Sequence, residues 1–225
     1  MTSDGDALFR TICEQPWEDT PRLVYADWLE ENGDPLRAEF IRVQVQLAAH
    51  PGKFRLELKA RAECLHRKSH GLWTRGSPSG PGVRIGRDLQ RGFYHNATFE
   101  GEGTFAAHAD RVFAWTPIDS VWINWLQDDL MQPILASPYL RRLTKLMLSH
   151  HCGDVTCRAV ADCPHLENLT ELHIHGPRTT EAGALALAES PHLARVRCLY
   201  MVGQTPLSQE ILATMKKRFA RFSRH

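Results

Sequence analysis

His150, His151, Cys152, Cys157, Cys163 and His165 are of the residue types that bind zinc, because thiolate and imidazole are the ligands that ion prefers. Their spacing argues against a metal site. Structural zinc sites pair ligands about two to four residues apart, whereas Cys152, Cys157, Cys163 and His165 contain one close pair, the last. Cys152 beside His151 offers a thiol and a base, yet adjacent residues rarely aim at one substrate atom. Cys157 and Cys163 read instead as small packing residues on a helix. The carboxylates Asp27, Glu30, Glu31 and Glu39 would suit acid–base work or a divalent cation, but such a set more often forms a solvated helix face or pairs with Arg22, Arg37 or Arg42. Gly76, Gly80, Gly82 and Gly86 match neither phosphate-cradling spacing. No catalytic residue, cofactor or metal is expected.

The elements that would position these groups repeat. Ile118, Val121, Ile123; Leu143, Leu146, Leu148; Leu169, Leu172, Ile174; and Val196, Leu199, Met201 form four copies of one apolar pattern, starting at 118, 143, 169 and 196. Those intervals fall within the period of leucine-rich repeats. Leu140, Leu166 and Leu193 precede three of the copies in phase, as do Ser137-Pro138, Cys163-Pro164 and Ser190-Pro191. Each copy predicts a short strand with alternate side chains turned inward, then a helical return such as 180–189. One unit cannot bury its own apolar face, so the units must stack. The position that holds Asn or Cys in the strict repeat is His151 in the second copy and Pro177 in the third, so the turns depart from it.

Composition sets the class. The chain has 225 residues, 43% apolar and 24% charged, which is ordinary for a globular protein. No secretory leader or membrane-spanning run is evident, so a cytoplasmic protein with six reduced cysteines is expected. The net charge of +1 conceals uneven segments: residues 1–50 hold 4 Lys/Arg against 10 Asp/Glu, 53–95 hold 10 against 3, and 216–225 hold 5 against none. Basic segments at 53–95 and 216–225 are compatible with nucleic acid, although pairing within the fold is the more ordinary reading.

Upstream of the repeats the signals are helical. Residues 3–14 read as a short helix with Ser3 or Asp4 at its start. Thr20-Pro21 opens a second and Asn32-Gly33 stops it; Asp34-Pro35 opens a third, in which Leu36, Phe40, Val43 and Leu47 form a stripe before Pro51-Gly52. A basic helix is expected over 53–73 with Trp73 docked in a core, then a loop over 76–86, strand types over 89–99, a helix capped by Thr104, and a final helix opened by Ser208 and lined by Ile211, Met215, Phe219 and Phe222.

The run from Arg22 to Gln44, RLVYADWLEENGDPLRAEFIRVQ, resembles the signature of the bacterial repeat-companion domain, as do Leu72-Trp73 and Arg91-Gly92-Phe93. That resemblance implies an N-terminal module followed by leucine-rich repeats, and it implies no catalytic residue. The expected protein is therefore α/β: a helical module over 1–75, a linker with the first strands over 76–103, and a short leucine-rich-repeat solenoid with a C-terminal capping helix over 104–225.

Strand alternation predicts the functional surface. The residues between the inward ones are Ser120, Trp122, Asn124; Lys145, Met147, Ser149; Glu171, His173, His175; and Cys198, Tyr200, Val202. Of these, Trp122, Asn124, Lys145, Met147, Glu171, His173, His175 and Tyr200 are the expected partner-binding set, since Trp, Tyr, Met and His outside a core are interface types. The reading is a non-enzymatic module that binds a protein partner through this face. The alternative is a nucleic-acid-binding accessory protein, and a metal-dependent enzyme is the weaker third; no membrane association is expected.

Overall fold

Helix α3 (Pro35–Ala49) carries apolar residues on two sides, and its neighbours follow from that. The computed structural model describes residues 4–49, 55–69, 71–127 and 131–224, with the side chains of 126 and 127 left out. On one side of α3, Ala38, Ile41 and Val45 pack with Ile12 of α1 (Asp4–Glu14), Ala26 and Leu29 of α2 (Thr20–Glu31), and Phe93. On the other, Phe40 and Val43 meet Ala62 and Leu65 of α4 (Arg55–Lys68), flanked by Leu36, Leu58 and Trp73. The single stripe expected from sequence is thus one of two.

The helix boundaries have local causes. Asp34 accepts the Arg37 backbone N–H at 3.0 Å, a side-chain cap for α3. Gly33, at φ 92°, supplies the left-handed stop after α2. At the start of α2 the expected cap Thr20 is already helical; Asp19 precedes it without a side-chain cap bond, and Pro21 occupies the first turn. The basic helix ends at Lys68, earlier than 73, and Trp73 sits in a 3₁₀ turn, Leu72–Thr74. Ser3, Pro51-Gly52, Lys53 and Phe54 lie outside the described residues.

By compactness the chain divides into two units: Met1–Ser79 with Ile85–His95 and Arg111–Ile118, and Gly80–Arg84 with Asn96–Asp110 and Asp119–His225. The expected loop over 76–86 contains a strand, β1 (Val83–Ile85), and β2 (Leu89–Gln90) pairs antiparallel with β3 (Phe93–Tyr94).

Among the described residues the larger sheet has seven strands in the order β1, β4 (Asn96–Glu100), β5 (Ser120–Gln127), β6 (Lys145–His151), β7 (Glu171–His175), β8 (Cys198–Val202), β9 (Arg221–Arg224). From β4 to β9 every pairing is parallel, and every neighbour is the next strand in the chain. Each parallel step passes through a helix: α5 (Glu102–Trp115), α6 (Gln132–Leu135), α7 (Asp154–Ala161), α8 (Glu181–Glu189) and α9 (Gln209–Arg218). The inward residues of the four sequence copies are sealed, with Ile118, Val121, Leu146, Leu172, Ile174 and Leu199 all at 0% exposure.

Successive strands are tied at their starts by a ladder. The carbonyl of Asp119 accepts from Thr144 and Lys145, that of Thr144 from Thr170 and Glu171, and that of Thr170 from Arg197 and Cys198. A second ladder accounts for two of the three phase-locked pairs: Cys163 Sγ donates to the Leu135 carbonyl at 3.5 Å, and Ser190 Oγ donates to the Ala161 carbonyl at 2.5 Å. Cys163 therefore lies in an extended step before a 3₁₀ turn and not on the helix expected for it.

Two further boundaries differ from expectation. Helix α5 starts at Glu102, two residues before Thr104, whose hydroxyl donates back to the Glu100 carbonyl at 2.8 Å and does not cap. The last helix, α9, ends at Arg218. Phe219 turns extended (φ −112°, ψ 127°), and Phe222 enters β9, which pairs with β8, so a strand and not a capping helix forms the described end of the sheet. Ser208 does cap α9, accepting from Ile211.

Candidate functional site

Parallel pairing without offset sets the exposed central positions of the strands side by side: Thr98, Trp122, Met147, His173, Tyr200 and Ser223. Neighbouring members of such a row are about 4.8 Å apart. Trp122 is 38% exposed, Met147, His173 and Tyr200 are half-buried, and the rings of His173 and Tyr200 stack with centroids 4.4 Å apart. On one side of this row, Lys145 Nζ lies 2.7 Å from Glu171 Oε1, which also lies 2.5 Å from His173 Nε2.

On the other side the groups are less available than alternation suggests. Ser120, Asn124 and Ser149, all expected on the exposed face, are buried at 8%, 8% and 6% exposure. Cross-strand hydrogen bonds account for the latter two: Trp122 Nε1 donates to Ser149 Oγ at 3.1 Å, Ser149 Oγ donates to Asn124 Oδ1 at 2.8 Å, and Asn124 Nδ2 donates to Glu100 Oε1 at 3.4 Å. Glu100 in turn pairs with Arg84 at 2.7 Å. Asn124 is thus a connector that fixes Trp122 through Ser149, not an accessible contact residue.

An open pocket of about 590 Å³ lies at the ends of the strands, with Trp122, His150, His175, Pro177 and Val202 in its lining. Val202 is 37% exposed. Gly176 is required at its rim, because a Cβ there would stand 2.0 Å from the Cys152 carbonyl oxygen. Beside it, Trp125 stacks on His150 with ring centroids 3.9 Å apart and planes within 7°. Both residues have positive φ, 58° and 91°. The bulge between Ile123 and Leu126 breaks the alternation, leaving Trp125 59% exposed. Alternation from Ile123 would have turned Trp125 inward, so no sequence signal marked it as a surface residue.

Two titratable groups of the face are shifted. Burial raises the Glu171 carboxyl, but hydrogen bonds from Lys145 and His173 outweigh this and leave it below its ordinary value. Burial, then the charge of His173, hold the His175 imidazole below its ordinary value.

The three cysteines of the cluster are placed as packing, whereas His150 and His151 are exposed. Cys152, Cys157 and Cys163 are buried, none of the six cysteines is in a disulfide, and burial pushes the Cys163 thiol up. Among the described residues, no group of three or more His, Cys, Asp or Glu is arranged to hold a metal. In the helical unit, Arg42 takes Asp27 at 2.6 Å and Glu30 at 2.7 Å, while Glu39 pairs with Arg61 at 2.5 Å, a partner outside the three arginines expected. Arg22 instead donates to the carbonyls of Glu18 and Pro16. No helix among the described residues is long and apolar enough to cross a membrane.

No family model, no curated protein and no solved structure matches the chain.

Proposed function

We propose that the chain is a non-enzymatic interaction module, a short leucine-rich-repeat solenoid joined to a repeat-companion helical module, that binds a protein partner through the exposed face of its parallel sheet. The observation that carries this reading is the row Trp122, Met147, His173 and Tyr200, set in register beside an open pocket and the exposed Trp125–His150 stack. Aromatic residues clustered at the centre of a patch are the usual anchors of binding energy. The carboxylate of the face already holds both Lys145 and His173, which suits a fixed electrostatic pattern better than a reaction centre.

The nucleic-acid reading has less support, because many of its cations have partners within the fold. Arg61, Arg84 and Arg91 pair with Glu39, Glu100 and Asp19. Arg218 donates to the carbonyls of Leu193 and Val196, and Arg224 to those of Thr179 and Thr205.

The test is capture from native lysate with and without nuclease, followed by alanine variants of Trp122, Met147, His173 and Tyr200 against the captured protein. Trp122→Ala or Tyr200→Ala should weaken the complex by at least about 1–2 kcal/mol with the fold retained. Capture that vanishes on nuclease treatment, or unchanged affinity in all four variants, would overturn the reading.

A further inference from the structure

Within the helical unit, Arg37 occupies an unusual position for a cation. Its guanidinium carbon lies 4.4 Å from the Trp73 ring centroid, 4.8 Å from Phe93 and 5.7 Å from Phe40. Its Nη1 is closed off from solvent and has no hydrogen-bond partner. A charged N–H left in that condition is costly, and a bound water or ligand acceptor would relieve the cost. Arg37 lines a cavity of about 210 Å³ together with Tyr25, Asp34, Trp73, Tyr94 and Trp115.

We propose that this cavity is a binding site for a small, flat carboxylic acid, whose carboxylate pairs with the Arg37 guanidinium and whose apolar body lies among the aromatic walls. A planar guanidinium held against rings presents parallel N–H groups that match a carboxylate. An aromatic box would ordinarily suit a cation, but here Arg37 already supplies one. Asp34 decides between anions. Its Oδ1 holds the Arg37 backbone N–H at 3.0 Å, so it stays beside the cavity, where its charge repels a phosphate dianion more strongly than a monoanion. The volume is below the roughly 300–1,000 Å³ of sites for drug-sized ligands, so the acid is small. Burial lowers the Arg37 pKa only to about 10, leaving the guanidinium charged at neutral pH, and burial raises the Tyr25 and Tyr94 phenols, which remain protonated there.

The experiment titrates the full chain with benzoate, benzyl alcohol, benzylamine and inorganic phosphate, reading tryptophan fluorescence and the thermal midpoint. Benzoate should bind saturably, raise the midpoint and bind at least tenfold more tightly than the other three. Arg37→Met should lower benzoate affinity at least tenfold, and Arg37→Lys should recover only part of it. The selectivity series on the unaltered chain stands even if these variants do not fold. Equal affinity for benzoate and benzyl alcohol, tighter binding of phosphate, or no saturable binding would overturn the proposal. A further arm uses N-acetyl-glycyl-phenylalanine, which carries the same carboxylate at a peptide end: weaker binding than benzoate supports a free acid, and tighter binding overturns that assignment.

Discussion

The imidazole of His173 stacks on the phenol ring of Tyr200 at 4.4 Å, across the pairing of β7 with β8. The same imidazole meets Glu171, which holds Lys145 on β6, so one residue links the aromatic row to an ion pair across three strands. Such a link orders side chains that would otherwise sample several rotamers, and under the proposed partner-binding role it would lower the entropy lost on binding.

Because the carboxyl of Glu171 is held below its ordinary value of 4.5, the folded state takes up its proton less readily than the unfolded chain does. The stability this supplies is present above about pH 4.5 and is lost as the pH falls through the folded value. The His175 imidazole, depressed below 6.5, also binds its proton more weakly in the folded state, so stability should decline as the pH drops below that value. Urea midpoints between pH 7.5 and 3.5 should fall in both windows. His175→Asn should flatten the upper window and Glu171→Gln the lower. Unchanged curves in both variants would remove these groups from the acid response.

Leu172 and Met147 lie on opposite faces of the same sheet. Leu172 is fully buried, and Leu172→Ala should cost about 2–5 kcal/mol. Met147 is half-buried on the exposed face, so Met147→Ala should cost much less. Denaturant titration of the two variants checks the assignment of faces, and a larger loss for Met147→Ala would contradict it.

The inward and outward residues were legible because strand alternation has a period of two, and Val121, Leu146, Leu172 and Leu199 obey it. Trp125 was not legible, since a positive φ beyond Ile123 rotates it off that period. Nor was the burial of Asn124 and Ser149, which depends on which strands meet and in what register. Phe219 and Phe222 continue the apolar spacing of Ile211 and Met215, and that spacing does not reveal where a helix yields to a strand that pairs with a neighbour. The cavity at Arg37 joins side chains from several separate elements, an arrangement that linear spacing does not encode.

Thiol accessibility separates the cysteines. Cys64 and Cys198 are partly exposed, whereas Cys13, Cys152, Cys157 and Cys163 are buried. A neutral aromatic disulfide reagent should therefore modify Cys64 and Cys198 first in the native protein and all six cysteines after denaturation. Mass mapping of the modified peptides reads the order. Rapid native labelling of Cys152 or Cys157 would show that the strand–helix turns open far more often than their burial implies.

Cys163 and Ser190 perform one task in consecutive units, each donating to a backbone carbonyl of the unit before, Leu135 for the first and Ala161 for the second. If that is the role of Cys163, then Cys163→Ser keeps the donor and should leave stability within about 1 kcal/mol, since the hydroxyl is a stronger donor on a slightly shorter arm. Cys163→Val keeps the approximate volume but removes the donor. It should cost more, on the order of 1–3 kcal/mol, where the Leu135 carbonyl is left without its side-chain partner. Ser190→Ala should behave like Cys163→Val, by the same loss at Ala161. A zinc ligand would behave differently: both Cys163 variants would be equally damaging, and the unaltered protein would lose stability in chelator. Thermal midpoints of the three variants, measured with and without chelator, decide between these outcomes, and equal damage from serine and valine at 163 would refute the structural role.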